Sequence, residues 1–345
     1  MSIPMSSPAS AAPTRAAGLR LRLDWQPIAL LLGLMALALA LTGSASTWAT
    51  LTLAGLAMGL IIFIIASGLT LVFGLMDVMN FGHGVFIGLG AFMATTVMGG
   101  MTAWTGEGSS LAANLVAVAL ASLAGMAVAG AVGLLFERVL VRPVYGMHLK
   151  QILITMGGMI IGEECIKLLW GAQLVPLPVP EGLRGSLLMG DVAVEKFRLL
   201  AVVVGLAVFA GLLWLLNRTK LGLLIRAGVQ DREMVESLGY RIRRLFVAVF
   251  VAGSALAGLG GVMWGLYQQG VTPQIGAQVN TLIFIVIIIG GLGSTLGCFV
   301  GALAVGLMAN YCGFLFPKAA LFSTIGLMVA VLLWRPQGLY PVEAR

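Results

Sequence analysis

Ten apolar segments follow one another along the 345-residue chain, and they constrain its fold more than any other feature. A helix needs about 20 mostly apolar residues to cross a bilayer. Only 10% of the residues are charged and 60% are hydrophobic, whereas a soluble domain has about 25% charged residues. The sequence therefore predicts an all-α polytopic membrane protein of about eight to ten transmembrane helices. The predicted spans are 27–43, 50–73, 85–103, 111–136, 152–170, 198–216, 245–266, 277–291, 297–316 and 319–334.

Glycine is abundant, with 47 residues, and many of them lie inside the apolar segments. Small residues let helix backbones approach closely in a membrane, so these glycines predict tight helix contacts. Two denser clusters, at 74–90 and 290–301, predict discontinuous helices because glycine weakens helical geometry. The two clusters suggest an inverted repeat of the kind found in transporters, although their sequences barely align.

The loop charges predict the topology. If the N-terminus is cytoplasmic, fifteen of the 20 lysines and arginines fall on the cytoplasmic side, as loops on that side are enriched in basic residues. We therefore expect a multi-pass membrane protein, surrounded by lipid, with both termini in the cytoplasm. Residues 1–24 are expected to form a disordered cytoplasmic tail, and 25–345 a single transmembrane domain. The net charge of +7 belongs to these loops and does not indicate nucleic-acid binding.

Two loops are long enough to have structure of their own. The external loop at about 171–197 contains three prolines and mixed charge, and it either caps the bundle or meets an external partner. The cytoplasmic loop at about 217–244 contains seven of the basic residues. Within it, a short amphipathic helix is predicted from about Asp231 to Leu238, with Gly239 as its C-cap. Such a helix either docks into a protein groove or lies on the lipid headgroups.

Polar residues are concentrated in the stretch GLMDVMNFGHGVFIGLGAF, which includes Asp77, Asn80 and His83. Buried polar groups are costly unless they have partners or face water. A discontinuous helix leaves backbone groups that Asn80 and His83 can satisfy, or the two side chains can line a polar path. Free helix ends also carry partial charges that suit a zwitterionic solute. His83 is expected to be buried and hydrogen-bonded, and Asp77 to be a solvated cap or a contact between subunits.

Three charged residues lie inside the fifth predicted span. Glu163 and Glu164 stand four and three residues before Lys167, so all three share one helix face. Charges within a span are candidates for function. Local pairing near the outer end of the span explains them without a transport role, and we expect that pairing.

The chain resembles the permeases of branched-chain amino acid ABC transporters over residues 50–340. One matching motif ends in N-F-G-H-G, a second is rich in glycine, and a third lies in the cytoplasmic loop. The stretch WRPQGLY, which ends five residues before the last residue, also resembles the usual ending of the family. Val235 replaces an alanine common in the family. The first motif comprises Gly68, Leu69, Leu71, Phe73, Gly74, Asn80, Phe81, Gly82, His83 and Gly84; the second Gly290, Gly291, Gly293, Ser294, Gly297 and Gly301; the third Arg226, Ala227, Asp231 and Gly239.

The resemblance implies a permease subunit of an ATP-driven importer that carries branched-chain or related amino acids across the bacterial inner membrane by alternating access. It implies a second homologous permease chain, two cytoplasmic ATPase subunits that use ATP and Mg, and a periplasmic solute-binding protein. No cofactor is expected in this chain. The implied ATPase-coupling residues are Arg226, Ala227, Asp231, Val235 and Gly239. The candidates for the substrate path are Asn80, Phe81, Gly82, His83, Gly84, Gly291, Gly293 and Ser294.

Other functions stay open at this point. Related permeases carry urea or short amides, and a stand-alone, ion-coupled secondary transporter is a further alternative. The sequence contains no P-loop motif for ATP hydrolysis. It has only two histidines, and its three cysteines, Cys165, Cys298 and Cys312, are isolated, so neither a metal site nor a disulfide is predicted. The sequence also offers no set of catalytic residues that would indicate a membrane enzyme.

Overall fold

The computed structural model describes residues 25–230 and 232–341. The predicted tail at 1–24 and the coupling candidate Asp231 lie outside these ranges. The described residues are mostly helical. The helices are α1 (Trp25–Thr42), α2 (Ala45–Met76), α3 (His83–Gly99), α4 (Thr102–Thr105), α5 (Leu111–Phe136), α6 (His148–Trp170), α7 (Lys196–Arg218), α8 (Lys220–Gln230), α9 (Arg232–Ser237), α10 (Ile242–Gln268), α11 (Ile275–Gly290), α12 (Thr295–Leu315) and α13 (Ala320–Trp334).

Each of the ten predicted spans coincides with one long helix, which confirms the all-α polytopic fold. Six of the described helices, α1, α2, α5, α7, α10 and α12, are long and apolar enough to cross a membrane, and three shorter apolar helices correspond to α3, α11 and α13. The remaining helix, α6, has 23 residues but includes Glu163, Glu164 and Lys167. The criterion of length and apolarity alone therefore identifies fewer helices than the ten that form the bundle.

The helix ends fall on two faces. Arg138 and Arg142 follow α5 and line a common cavity with Arg243 and Arg244 at the start of α10; we call the face with these four arginines the basic face. Asp77, at the end of α2, lies 3.9 Å from His148 at the start of α6. Arg335, after α13, donates a hydrogen bond to Gln26 in α1. The two ends of the described bundle thus lie on the same face, as an even number of spans requires.

Two helices, α2 and α10, form the centre of the bundle. The middle of α2 is buried from Leu60 to Val72, and α2 packs against α10, α12 and α7. The ring of Phe63 in α2 meets those of Phe209 in α7 and Phe299 in α12 edge-on, at centroid distances of 5.7 and 5.3 Å. Helix α10 also packs against α3 and α5. A residue in either central helix therefore contacts elements from both halves of the chain.

The face opposite the basic face has four short strands. The strands β1 (Val175–Pro176) and β4 (Gly270–Val271) pair antiparallel, and so do β2 (Ser186–Met189) and β3 (Val192–Glu195). The external segment at 171–197, which the sequence predicts to be structured, contains three of them. The pairing of β1 with β4 joins this segment to the connection between α10 and α11.

Candidate functional site

The chain re-enters the bundle after α2. Asp77 caps α2 in a left-handed conformation (φ 53°), and its N–H donates to the Phe73 carbonyl at 2.9 Å. Residues 78–82 are not helical, and α3 begins at His83. The His83 Nε2 donates to the carbonyl oxygen of Ile65 at 3.2 Å. Ile65 lies eleven residues before the end of α2, about 16 Å along the helix axis. Helix α3 therefore begins deep inside the bundle.

A second re-entrant segment follows α10. Gln269 caps α10, also in a left-handed conformation (φ 56°), and α11 begins six residues later at Ile275. The same spacing separates Asp77 from His83. Asp77 and Gln269 are the only two residues other than glycine with positive φ in the described part of the chain. A left-handed cap, followed six residues later by a helix start, thus directs one helix into the bundle from each face.

The two re-entrant helices meet at a pair of glycines. A Cβ atom added to Gly84 in α3 would lie 2.8 Å from the carbonyl oxygen of Gly276 in α11. No real side chain tolerates that distance to backbone, so only glycine permits the contact. We call the contact between Gly84 and Gly276 the crossing. The glycine clusters predict that residues 290–301 mirror residues 74–90, but in the structure the left-handed cap and helix start that match those at 77–83 lie at 269–275.

Phe81, next to the crossing, is held by residues from two other helices. Its N–H donates to Thr155 Oγ1 in α6 at 3.2 Å, and its carbonyl accepts from Asn280 Nδ2 in α11 at 3.0 Å. Its ring stacks on that of Phe284, with centroids 4.6 Å apart. Both backbone groups of Phe81 are therefore satisfied, as buried backbone groups must be.

Several buried polar atoms near the crossing have no hydrogen-bond partner. Asn80 and His83 are fully buried and Asn280 is nearly so. Neither side-chain amide atom of Asn80 has a partner within the described ranges, nor has His83 Nδ1 or Asn280 Oδ1. Buried polar atoms are almost always paired, so these unpaired atoms are unusual and require a functional or structural explanation. The hydrogen bond to Ile65 confirms that His83 is buried and bonded, and its second nitrogen leaves a further role open.

The second group of path candidates lies away from the crossing. Gly291 (φ 101°) and Gly293 (φ 80°) form the tight turn between α11 and α12, and Ser294 Oγ caps α12 by accepting from the Gly297 N–H at 3.1 Å. A Cβ atom on Gly74 would lie 2.8 Å from Gly293, which places this turn beside the end of α2. Gly291, Gly293 and Ser294 therefore stand at the basic face, and the structure does not bring them together with Asn80 and His83.

The predicted cytoplasmic loop forms α8 and α9. Gly239 has φ 84° and follows α9, which confirms the predicted C-cap and the short helix. Val235 is 2% exposed, like its buried neighbours Ile225 and Ile242, so it faces the chain itself. Ala227 is half-buried, and the side chain of Arg226 lies outside the described part of the structure. Large apolar side chains point outward on this segment: Leu221, Leu223, Met234, Leu238 and Tyr240.

The charged residues of α6 pair with one another, as predicted. Lys167 Nζ lies 2.7 Å from Glu164 Oε1 and 3.5 Å from Glu163 Oε1. Glu163 also lines a small cavity next to Gly84 and Gly276. Asp77 is exposed and caps α2, which fits both predicted roles, a solvated cap and a contact between subunits. Among the described residues, no group of three His, Cys, Asp or Glu side chains is placed to hold a metal ion.

Sequence reasoning missed four residues of the site. They are Thr155, Gly276, Asn280 and Phe284. Asn280 offered a signal, because it is a carboxamide within the otherwise apolar stretch VNTLIFIVIII. The other three had none, since a threonine, a glycine and a phenylalanine are ordinary residues in a membrane helix.

Comparison with known proteins gives the family. The family model described as "Branched-chain amino acid transport system / permease component" matches residues 51–332. The chain belongs to this permease family. No solved structure matches the chain.

The relatives of this permease include named transport proteins. It is 30% identical over 301 residues to the high-affinity branched-chain amino acid transport system permease protein BraD of Pseudomonas aeruginosa, a match that covers 83% of the chain and 93% of BraD. It is 28% identical over 303 residues to the permease protein LivH of the corresponding system in Escherichia coli K12, with 83% and 92% covered. A shorter match, 30% over 149 residues, is to the permease protein LivM of the same organism and covers 42% of the chain and 33% of LivM.

Proposed function

We propose that the chain is a transmembrane subunit of an ATP-driven importer that carries branched-chain amino acids across the bacterial inner membrane by alternating access. The observation that carries the proposal is the crossing, where two helices begin inside the bundle next to buried polar atoms without partners. The named relatives support the choice of substrate, since BraD and LivH are permeases of branched-chain amino acid systems.

The chemistry of the crossing suits an amino acid. A helix N-terminus bears a partial positive charge that favours a carboxylate, and α3 and α11 both begin in this region. Asn80 offers an acceptor and a donor, and His83 and Asn280 offer one further polar atom each. Phe81 and Phe284 supply an apolar wall for a branched side chain. We propose that Asn80, Phe81, Gly82, His83 and Gly84 line the path, with Gly291, Gly293 and Ser294 at its mouth on the basic face.

We propose that the outward apolar side chains of α8 and α9 form the docking surface for an ATPase. Leu223 and Leu238 are 62% and 66% exposed, while Val235 and Ile225 anchor the same segment to the bundle. A docked helix needs both a fixed side and an apolar free side. Val235 would thus position the segment, and Arg226, Ala227, Asp231 and Gly239 would complete it. ATP and Mg would be bound by the ATPases and not by this chain.

The remaining partners follow from the same proposal. The match to LivM, a second permease protein in E. coli K12, supports a related permease chain as the partner within the membrane. A periplasmic solute-binding protein would deliver the amino acid to the face with the four strands. The basic face would then be cytoplasmic, in accord with its arginines, and both termini would lie on that side.

Reconstitution tests the proposal. The chain is placed in proteoliposomes with its permease and ATPase partners and a leucine-loaded binding protein, and uptake of radiolabelled leucine is measured with ATP, with a sodium or proton gradient, and with urea in place of leucine. We expect leucine uptake that requires ATP and both ATPases. Uptake by the chain alone on an ion gradient would refute the proposal, and ATP-dependent uptake of urea but not leucine would correct the substrate.

A further inference from the structure

Four arginines surround one cavity on the basic face. Arg138, Arg142, Arg243 and Arg244 line it together with Val247, and its volume is about 340 Å³. Like charges that share a cavity repel one another, and the repulsion is larger near a protein surface than in bulk water. A bound anion would remove this repulsion.

No carboxylate among the described residues pairs with these arginines. The ion pairs found in the described ranges involve His148, Lys167 and Arg198. Glu137, the acidic residue next to Arg138, is fully buried, and its Oε1 accepts a hydrogen bond from the Tyr145 hydroxyl at 2.6 Å. The cavity therefore keeps its positive charge within this part of the chain.

The start of α10 adds to the positive potential. Arg243 and Arg244 lie in the first turn of this helix, which has no acidic residue, and its N-cap Arg241 makes no capping hydrogen bond with its side chain. The N-terminal end of a helix carries a partial positive charge and free N–H groups that attract anions. The two arginines and the helix end therefore add their positive potentials at the same place.

The other wall of the cavity combines exposed apolar residues with arginines. A five-residue π-helix, Glu137–Val141, extends α5 and precedes Arg142. Leu135, near the end of α5, and Val139, in the π-helix, are 62% and 57% exposed, as suits residues that contact acyl chains. Arg138 and Arg142 alternate with these apolar residues along the chain, and arginines at the end of a membrane helix can extend their charged groups to the headgroup layer. Exposed apolar residues interspersed with arginines are typical of a helix end at the membrane surface.

We propose that this cavity binds the phosphate headgroup of an anionic phospholipid. A guanidinium group binds phosphate oxygens through two parallel hydrogen bonds, and Arg138, Arg142, Arg243 and Arg244 surround the phosphate while the acyl chains lie along Leu135 and Val139. Basic pockets between transmembrane helices on the cytoplasmic side are suited to such headgroups. The site joins α5 to α10 and does not depend on which solute the protein carries.

Native mass spectrometry of the full chain in detergent tests the site. The protein is titrated with dioleoylphosphatidylglycerol, with dioleoylphosphatidylcholine, and with inorganic phosphate in competition. We expect the first phosphatidylglycerol to bind at least about tenfold more tightly than phosphatidylcholine. We expect the double variant Arg138→Gln/Arg243→Gln to lose that preference, and Arg138→Lys/Arg243→Lys to retain part of it because the charge remains. Inorganic phosphate at millimolar concentration should not displace the lipid.

The matched control removes the same charge elsewhere. Arg184→Gln/Lys318→Gln changes two exposed basic residues of the opposite face and should keep the full preference. Equal loss in the control would show general charge attraction and overturn the site. Displacement by millimolar phosphate would show a site for the free anion and not for a lipid. Unchanged lipid binding in Arg138→Gln/Arg243→Gln, combined with loss of a co-purifying ATPase, would assign the arginines to a protein interface and also overturn the proposal.

Discussion

The two re-entrant segments share a left-handed cap and the spacing to the next helix, but they differ in chemistry. Both start with a left-handed cap, at Asp77 and Gln269, and both reach a helix start six residues later. The first segment carries Asn80 and ends at His83, both of them buried polar residues. The second includes Pro273 and ends at Ile275, and its polar residue Asn280 comes one turn into the helix.

This difference separates the residues that set the geometry of the crossing from those that offer polar atoms to a solute. Gly84 and Gly276 are alike, and their contact sets the geometry of the crossing from both sides. The polar atoms without partners belong mainly to the first segment, and Asn280 from the second supports Phe81 of the first through its hydrogen bond. We infer that the second segment mainly positions the first, which would make the contact with the solute.

The largest effect is expected where the two segments are alike. Gly84→Val and Gly276→Val each place a side chain against backbone atoms of the other helix, and overpacking of this kind costs about 1–3 kcal/mol or more. We expect both variants to lose leucine uptake in proteoliposomes. Gly157→Val is the control, because nothing lies within 4 Å of a Cβ at Gly157. Normal uptake in either crossing variant would show that the contact does not hold the site together.

The support that one segment gives the other predicts the next effect. Asn280→Leu leaves the buried Phe81 carbonyl without its donor, at a cost of about 1–3 kcal/mol in the free energy of unfolding. Thermal unfolding in detergent measures the loss. Asn310→Leu is the matched control, since Asn310 Nδ2 donates to the Gly306 carbonyl of its own helix and, in another helix, only to the weak acceptor Met58 Sδ. A control that is destabilised as much as Asn280→Leu would remove the special role of Asn280.

The proposed recognition role of the first segment predicts an effect on uptake without one on stability. Asn80→Ala removes amide atoms that have no partner in the described chain, so the melting temperature should hardly change. The loss of one hydrogen bond to the solute should raise the KM for leucine about tenfold, or ~1.4 kcal/mol. An unchanged KM would exclude Asn80 from the path.

The smallest effect is expected from the ring contact between the segments. Phe284→Leu removes the stacking on Phe81 but keeps most of the apolar volume, and we expect a loss of about 0.5–1.5 kcal/mol in stability. Chemical unfolding of the variant and of Phe322→Leu, an exposed phenylalanine in α13, makes the comparison. Equal changes in the two variants would show that the stacking contributes nothing specific.

The sequence predicted every long helix, because a span is a local property of some 20 apolar residues. It also predicted the discontinuity before α3, since Asn80 and His83 interrupt an apolar run beside several glycines. The dense glycine cluster at 290–301 predicts that the second discontinuity lies there. The structure places the matching turn at Gln269, in the stretch QQGVTPQ, where the β1–β4 pairing to a distant segment decides the path of the chain.

The residues that complete the site were harder to find for the same reason. Thr155 and Asn280 act on Phe81 across 74 and 199 residues of sequence, and no local pattern reports such a contact. Gly276 was one glycine among 47, and only its neighbour Gly84 distinguishes it. Local composition thus predicts where a helix breaks, whereas the partner of that break depends on packing between the two halves of the bundle.

The central claim, that a separate ATPase changes access to the crossing, is tested most directly by labelling a single cysteine there. Asn80→Cys is introduced after Cys165, Cys298 and Cys312 are replaced, and a membrane-impermeant thiol reagent is applied to each side of the reconstituted complex. The account predicts that the reactive side changes when ATP is added, and that the chain without its ATPases shows no change. Labelling from the same side with and without ATP, or a change driven by an ion gradient alone, would contradict it.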